Sequence, residues 1–301
     1  VWPYAPAPMT YSVVMRDPDS GAYGVAVQSH WFNVSRTAPW VRFGVGAVAT
    51  QALTDPSYGW RGLDLLAGGA DPGDALAAML ATDPDASRRQ VALLAADGRL
   101  AVHTGPDCIA RAEHATGDGW AVLGNLLAND RVIPEMAAAL AVATGTLAER
   151  MVTVLEAGEL AGGDLRGKQS AAVRVVPSAE ELAAGYEAGI DISVPDHAEP
   201  IRELRRLVEV DRAYRALRRA QTALQRDDET EAREQLTLAG DLRHGVEVDF
   251  WAAMEWEKLG ESDRADRLLW RAVETQPAFG VLLERLADPI ATRLRSRLAA
   301  H

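Results

Sequence analysis

The chain has 301 residues, of which 48% are hydrophobic and 25% are charged, and its net charge at pH 7 is −12. This length predicts two domains, and the composition is typical of a globular protein with a large core. No run of about 18 apolar residues occurs, so we expect no membrane span. Without a lysine–arginine block we also expect no nucleic-acid partner. The single cysteine, Cys108, excludes an intrachain disulfide and fits a cytoplasmic location.

The first eight residues, Val-Trp-Pro-Tyr-Ala-Pro-Ala-Pro, lack the basic and apolar regions of a signal peptide. Three interpretations remain: translation from upstream of the true start, a cloning remnant, or a short propeptide. If Met9 is the initiator, its removal exposes Thr10 as the N-terminal residue. The α-amino group of Thr10 can then take the proton of its own hydroxyl. If Val1 is the start and stays attached, Thr10 is an ordinary strand residue.

Residues 9–195 are predicted to contain strands, then helices, then strands again. A hairpin is expected around the turn 17–21, and the predicted strands are 11–15, 24–28, 45–50, 91–95, 100–103, 120–122 and 170–176. The predicted helices are 61–67, 72–82, 134–144 and 146–156. This order favours two antiparallel sheets stacked between helix pairs, a four-layer α/β/β/α sandwich of the α+β class.

A linker at 192–200, with two prolines, separates this domain from an all-α domain at 196–301. Helices are predicted at 216–226, 229–239, 246–259 and 262–274. The segment 252–277 resembles one tetratricopeptide-type hairpin, and 214–240 is a weaker copy. Because two copies are too few for a solenoid, we expect this domain to pack on the first domain or on another subunit.

Polar residues follow several predicted strands, where side chains gather over the rim of a sandwich. They occur in the segments 28–30, 50–51, 55–59, 124–125 and 166–170. Each segment alone is explained by turn chemistry, the segment 55–59 being a predicted turn. Together they predict a pocket for a small molecule.

The sequence gives little support for a nucleotide site, a metal site or another catalytic nucleophile. No glycine-rich segment matches a P-loop or dinucleotide fingerprint, and no Gly-x-Ser-x-Gly motif occurs. His103, Cys108 and His114 have loosely zinc-like spacing without a fourth ligand. Cys108 is a weaker candidate nucleophile than Thr10. We therefore predict no cofactor and no metal.

Several ordered blocks carry a family resemblance. They are Thr10-Tyr-Ser-Val-Val, Gly24-Val-Ala-Val-Gln-Ser, Gly44-Val-Gly-Ala-Val-Ala-Thr-Gln, Pro56-Ser-Tyr-Gly, Arg89-Gln, His103-Thr-Gly, Gly124-Asn and Gly162-Gly-Asp-Leu-Arg-Gly-Lys-Gln-Ser. Over 9–195 the chain resembles a bacterial family, domain of unknown function 1028, that is grouped with the N-terminal-nucleophile (Ntn) hydrolase-like proteins.

The resemblance implies the four-layer Ntn fold, and members begin Met-Thr-Phe/Tyr-Ser, which supports Met9 as the start. The helical part is similar to an extension labelled peptidoglycan-binding in some members. Proteasome-type Ntn hydrolases pair their threonine with an aspartate and a lysine. This chain departs from that pattern, since its first lysine is Lys168.

Two functions are expected. In the first, an amidohydrolase acts on a small amide or cyclic amide. Thr10 attacks the substrate carbonyl, Ser29 orients the amine or hydroxyl of Thr10, and Gln51 or Asn125 forms the oxyanion hole together with backbone N–H groups. The predicted substrate-binding residues are Ser57, Tyr58, His103, Asp164, Arg166 and Gln169, with Arg166 and His103 holding an anionic group and Asp164 orienting Arg166. In the second, a non-catalytic scaffold binds a metabolite, and its helical module binds a partner or cell-wall polymer. A homodimer is expected in either case.

Overall fold

The computed structural model describes residues 10–178, 182, 189–242 and 245–299. The predicted extension 1–8 and the candidate initiator Met9 lie outside the described residues. The chain divides into two compact units, 1–206 and 207–301, which are described separately.

The described residues of the first unit form ten strands in two antiparallel sheets. The strands are β1 (Thr10–Arg16), β2 (Tyr23–Ser29), β3 (Pro39–Arg42), β4 (Gly46–Ala52), β5 (Arg89–Ala95), β6 (Leu100–Thr104), β7 (Glu113–Gly117), β8 (Trp120–Gly124), β9 (Ser170–Val176) and β10 (Ile190–Val194). Sheet A has the order β10-β9-β2-β1-β8-β7, and sheet B has the order β3-β4-β5-β6. The expected pair of antiparallel sheets and the opening hairpin are confirmed.

Three strands, β3, β7 and β10, have no counterpart among the predicted strands. All three lie at sheet edges. Their side chains are largely half-buried or exposed, so none of them is a continuous buried run like the central strands, although β10 does alternate between half-buried and exposed positions.

Four helices pack on these sheets: α1 (Ser57–Ala67), α2 (Pro72–Leu80), α3 (Val132–Leu140) and α4 (Leu147–Leu160). Helices α1 and α2 contact sheet B, whereas α3 and α4 contact sheet A. Strands β1 and β2 contact β4, and apolar side chains such as Val14, Val25 and Leu94 fill the space between the sheets. Helix α1 begins at Ser57 rather than at 61, and the Asp55 carboxylate accepts a hydrogen bond from the N–H of this first helical residue at 2.8 Å. The predicted turn 55–59 is therefore wrong in its second half.

Strand β1 is central in sheet A, between β2 and β8. Thr10 pairs with Ser29 of β2, and Tyr11 pairs with Gly124 of β8. Since side chains alternate along a strand, Thr10 and Ser12 share one face and Tyr11 lies on the other. The Ser12 hydroxyl donates to Gln51 of sheet B, so the Thr10 face is the face between the sheets.

Helix α5 (Pro200–Gln225) begins in the first unit and continues into the second. The remaining helices are α6 (Glu229–Leu242), α7 (Val246–Lys258), α8 (Ser262–Thr275), α9 (Ala278–Arg285) and α10 (Pro289–Leu298). Buried residues including Phe250, Trp256 and Leu269 form their core. The all-helical C-terminal region is confirmed, although α9 and α10 were not among the predicted helices. Among the described residues, no helix combines the length and the apolar character that a membrane crossing requires.

Candidate functional site

Thr10 opens β1 inside the protein, not at its surface. Its hydroxyl donates a hydrogen bond to the Ser29 hydroxyl at 3.2 Å, across the β1–β2 pairing that sets the two residues opposite each other. Thr10 is 1% exposed and Ser29 is fully buried. Antiparallel register therefore explains why these two hydroxyl groups, which lie far apart in the sequence, meet.

The Thr10 carbonyl is held by three donors. They are the Gln51 side-chain amide at 3.2 Å, the Asn125 side-chain amide at 3.4 Å and the Asn125 backbone N–H at 3.1 Å. Gln51 is the penultimate residue of β4 in the opposite sheet, whereas Asn125 directly follows β8. The structure thus brings Thr10, Ser29, Gln51 and Asn125 together from four different segments.

Gln90 is a member of this cluster that the sequence analysis did not select. Its Oε1 accepts from Gln51 at 2.8 Å and from Asn125 at 3.0 Å, and its Nε2 donates to the Thr104 hydroxyl at 3.0 Å and to two backbone carbonyls. Its position next to the apolar run 91–95 was the available signal, because a glutamine continuing a buried strand needs an internal partner. Gln51, Gln90 and Asn125 form what we call the amide cluster.

Most polar atoms of the amide cluster have partners. The Gln51 Oε1 accepts from the Ser12 hydroxyl at 2.7 Å, and every side-chain nitrogen of the three amides donates within the protein. Among the described residues, the Asn125 Oδ1 is the one amide-cluster atom that is buried without a partner. Leaving such an acceptor unpaired costs about 1–3 kcal/mol. A donor from a water or a bound molecule would remove that cost.

A second unpaired amide lies on the opposite face of sheet A. Gln28 is fully buried, and neither its nitrogen nor its oxygen has a partner in the described part of the chain. It pairs with Tyr11 across β1 and β2. The Tyr11 hydroxyl donates to Glu159 of α4 at 2.8 Å, and burial followed by the Glu159 charge raises the pKa of Tyr11 well above its ordinary value.

Asp164 and Arg166 form a buried ion pair near the end of β2. The Asp164 side chain is fully buried, and it accepts from the Arg166 guanidinium at 2.9 and 3.2 Å and from the Arg166 backbone N–H at 2.9 Å. Its other oxygen also accepts from the His30 backbone N–H at 3.3 Å. Arg166 itself is 24% exposed, so Asp164 holds a partly exposed cation in place.

Gln169 contacts Ser29 through its backbone N–H, and its side chain points to another partner. The Gln169 N–H donates to the Ser29 carbonyl at 3.1 Å, whereas its side chain donates to Asp196 at 3.1 Å.

Ser57, Tyr58 and His103 lie in other surroundings. The Tyr58 hydroxyl donates to Asp83 at 3.0 Å, and the His103 ring bonds to the Ala86 carbonyl at 2.9 Å. Burial, and then the hydrogen bond to Asp83, raises the pKa of Tyr58. Hydrogen bonds from Arg89 lower the pKa of Asp83 to about 2. The hydrogen bonds of the Tyr58 and His103 side chains, and that of the Ser57 N–H to Asp55, run to partners outside the Thr10 cluster.

The described residues contain no group of three or more histidine, cysteine or carboxylate side chains arranged for a metal. The Cys108 thiol donates to the Arg89 carbonyl at 3.3 Å, while the His114 ring bonds to the Thr104 hydroxyl at 2.9 Å. Burial raises the pKa of Cys108, which disfavours the reactive thiolate.

Comparison with known proteins gives a family but no activity. Residues 10–204 match the model of a family of unknown function, DUF1028. Among solved structures, the crystal structure of protein SPO2555 from Silicibacter pomeroyi, which carries the same family designation, is similar at 26% identity and a TM-score of 0.61. The similarity covers 67% of this chain and 85% of that one. No curated protein matches. Because the family model spans well over half of the sequence, this chain belongs to the DUF1028 family of unknown function.

Proposed function

We propose that the first unit is an Ntn-type amidohydrolase of the four-layer α/β/β/α architecture, with Thr10 as its nucleophile and a small amide or cyclic amide as its substrate. The observation that carries the proposal is the placement of Thr10. Its hydroxyl bonds to Ser29 at 3.2 Å at the buried start of a central strand, and three donors fix its carbonyl.

The chemistry requires Thr10 to be the first residue of the mature chain. Its α-amino group, with an ordinary pKa of about 8, then takes the hydroxyl proton as Oγ1 attacks the substrate carbonyl. The same proton passes to the departing nitrogen, which leaves an ester on Oγ1. Water hydrolyses that ester, and the amine takes and returns the proton of the water. Ser29 orients the Thr10 hydroxyl throughout.

Gln51, Gln90 and Asn125 act in this scheme as positioning residues. The side-chain nitrogens of Gln51 and Asn125 already donate to the Thr10 carbonyl and to Gln90, so donation to an oxyanion would require exchange of those bonds. The unpaired Asn125 Oδ1 is an acceptor, and an amide substrate carries the N–H that such an acceptor binds. This pairing supports an amide substrate over an ester. Arg166, fixed by Asp164, is assigned to a carboxylate elsewhere on the substrate.

A second function is favoured by the neutrality of the site. The hydrogen bonds described above for Thr10, Gln51, Gln90 and Asn125 run to neutral groups, and no lysine or carboxylate takes part in them. A metabolite-binding scaffold needs no base. In that case the helical unit, with its tetratricopeptide-like hairpin α7–α8, docks a protein partner or a cell-wall polymer, and the cytoplasmic homodimer remains the proposed form.

The two functions can be distinguished by preparing a chain in which Thr10 is the N-terminal residue. We would prepare one chain that starts at Thr10 and one that retains residues 1–9, and treat both with a peptide epoxyketone, which cross-links the amine and hydroxyl of an N-terminal threonine. Intact mass is expected to show one adduct on the chain that starts at Thr10 and none on the longer chain. A Thr10→Ala variant should lose the adduct, and Thr10→Ser should keep it.

Thermal unfolding of each variant serves as the control for folding. If the folded chain that starts at Thr10 forms no adduct, the amidohydrolase proposal is wrong and the binding scaffold stands.

A further inference from the structure

A partly exposed apolar surface lies directly beside the buried acceptor of Asn125. Asn125 is 1% exposed, and its Oδ1 has no partner among the described residues. The next residue, Leu126, bonds through its backbone to two neighbouring segments. Its N–H donates to the Ile109 carbonyl at 3.4 Å, and its carbonyl accepts from the Leu165 N–H at 3.1 Å. We call Ile109, Leu126 and Leu165 the apolar rim.

The side chains of the apolar rim remain in contact with solvent, although buried positions adjoin them. Leu165 is 61% exposed, Ile109 is 41% exposed, and Leu126 is partly exposed. By contrast, Leu127 and Asp164, which form an antiparallel bridge directly beside Leu126 and Leu165, are buried. The apolar rim is therefore apolar surface that a bound group would shield from water.

The backbone next to the site is strained at two positions. Leu126 has a φ of 45°, in the left-handed region that a leucine rarely adopts, and Ala52, directly after Gln51, has a φ of 67°. Each of the two side chains that donate to the Thr10 carbonyl is thus followed by a left-handed residue. Such strain is concentrated at ligand sites, where the surrounding structure holds it in place.

The unpaired Asn125 Oδ1 limits the kind of ligand that fits beside the apolar rim. As an acceptor it binds an N–H or O–H donor. The Asn125 side-chain nitrogen also donates to the Thr10 carbonyl at 3.4 Å, so a donor that reaches Oδ1 lies close to the start of β1. An amide N–H bound there brings the group on its nitrogen close to Leu126, the residue that directly follows Asn125.

We propose that the substrate is a secondary amide whose nitrogen carries an apolar group, and that this group lies on the apolar rim. The inference rests on the proposed function, because it uses the amide site beside Thr10. We assign the apolar group to the nitrogen since the nitrogen is the atom held at Asn125. Hydrolysis then breaks the C–N bond, releases an apolar primary amine and leaves the acyl part on Thr10 Oγ1 as the ester.

The test compares the affinities of matched amides by ligand-observed NMR. It uses a Thr10→Ala variant of the chain that begins at residue 10, which binds the amides without hydrolysing them. N-hexylacetamide and N-methylheptanamide are isomers that carry the tail on the nitrogen and on the acyl carbon, respectively. A fully buried methylene is worth about fourfold in affinity, and a half-covered one about twofold.

N-hexylacetamide is therefore expected to bind about tenfold more tightly than N-ethylacetamide, and at least about threefold more tightly than its isomer. N-hexyl-N-methylacetamide has no N–H for the Asn125 acceptor, so it should bind at least about fivefold more weakly than N-hexylacetamide.

Leu165→Ser tests the apolar rim itself. It should weaken the binding of N-hexylacetamide by about threefold and leave that of N-ethylacetamide unchanged, because only the longer chain covers the rim. Leu160→Ser is the matched control, since Leu160 is also an exposed leucine but lines a separate cavity with Glu156 and Arg205. It should leave every affinity unchanged, and thermal unfolding verifies that each variant is folded.

The proposal is overturned if the two isomers bind equally, if the tertiary amide binds as tightly as N-hexylacetamide, or if Leu160→Ser causes the same loss as Leu165→Ser. No step of this binding test uses the Thr10 hydroxyl, so its result is separate from that of the epoxyketone experiment. The expected affinities without an epoxyketone adduct would support the apolar rim and refute the hydrolase. An adduct together with equal affinities of the isomers would refute the apolar rim alone.

Discussion

Glu257 of α7 is a buried carboxylate of the helical unit that accepts hydrogen bonds from three side chains. Its side chain is 4% exposed, and it accepts from Arg293 at 2.9 Å and from Arg297, both on α10, and from the Ser262 hydroxyl at 3.0 Å. Replacing it by glutamine keeps its size and removes its charge. We predict that Glu257→Gln weakens the attachment of α10 to the rest of the helical unit.

The size of the effect follows from the pKa of Glu257. Burial alone would raise that pKa, but hydrogen bonds from Arg297, Arg293 and Ser262 outweigh burial and lower it from 4.5 to about 2. Since one pKa unit corresponds to about 1.4 kcal/mol, the charged form contributes roughly 3 kcal/mol. Solvent around the exposed arginines screens part of this, so we expect a loss of about 2–3 kcal/mol at pH 7.

The sign of the pH dependence is fixed by the lowered pKa. The contribution is complete above the unfolded pKa of about 4.5, and it is lost as the pH falls toward 2. At pH 3 less than half of it remains. The difference between the native protein and the variant should therefore shrink steadily between pH 5 and pH 2.

Hydrogen exchange of the α10 amides in the full chain, measured at pH 7, 5 and 3 with rates corrected for pH, reports this difference. Glu274→Gln is the control, because Glu274 is exposed and no contact in the described structure pairs it. Its effect should stay within about 0.5 kcal/mol. Equal destabilisation by Glu257→Gln at pH 7 and pH 3, or an effect no larger than that of Glu274→Gln, would refute the reasoning.

Two further substitutions, Gln90→Leu and Gly24→Ala, test the packing of the first unit, and Gly240→Ala in the helical unit is the comparison for Gly24→Ala. Gln90→Leu removes the acceptor shared by Gln51 and Asn125, so it should cost about 2–4 kcal/mol and lower the Tm by roughly 6–12 °C; a Tm within 2 °C of the native value would contradict the amide cluster. Gly24→Ala places its Cβ 2.2 Å from a backbone carbonyl of β9, so the loss measured by urea unfolding should be about 3 kcal/mol or more. Gly240→Ala, in α6 with no atom within 4 Å of the added Cβ, should instead leave stability unchanged or raise it by up to about 1 kcal/mol, and a comparable loss in both variants would show that close packing is not the cause.

The strands and helices whose buried side chains form a strong, regular pattern could be predicted from the sequence. The central strands β1, β2, β4 and β5 are continuous buried runs with strong β-branched or small-residue character, and their antiparallel arrangement was expected. The edge strand β7 consists of exposed and half-buried positions, so no period-2 pattern distinguished it from a loop. The short helices α9 and α10 have few buried residues each, and their pattern was equally weak.

The candidate site was predictable as a set of strand ends, but its connections were not. Thr10, Ser29, Gln51 and Asn125 each lie at or near the end of a strand, and the sheets bring them together. Tyr58 and His103 also sit near element ends, yet Asp83 and a backbone carbonyl satisfy them elsewhere. Which of several strand ends converge depends on register and on how the sheets face each other, and one sequence does not contain that information explicitly.

The amide cluster has an evolutionary consequence. Gln90 accepts hydrogen bonds from both Gln51 and Asn125, so a change at Gln90 removes the acceptor that these two buried amides share. Relatives that diverge in this interior would therefore be expected to change these positions together. Asp164 is fully buried and holds the partly exposed Arg166, so a change at Arg166 alone would leave a buried carboxylate without its cation, and this pair would also be expected to change together. Divergence within the family would then proceed by coupled changes, in the amide cluster or in this ion pair, rather than by single substitutions.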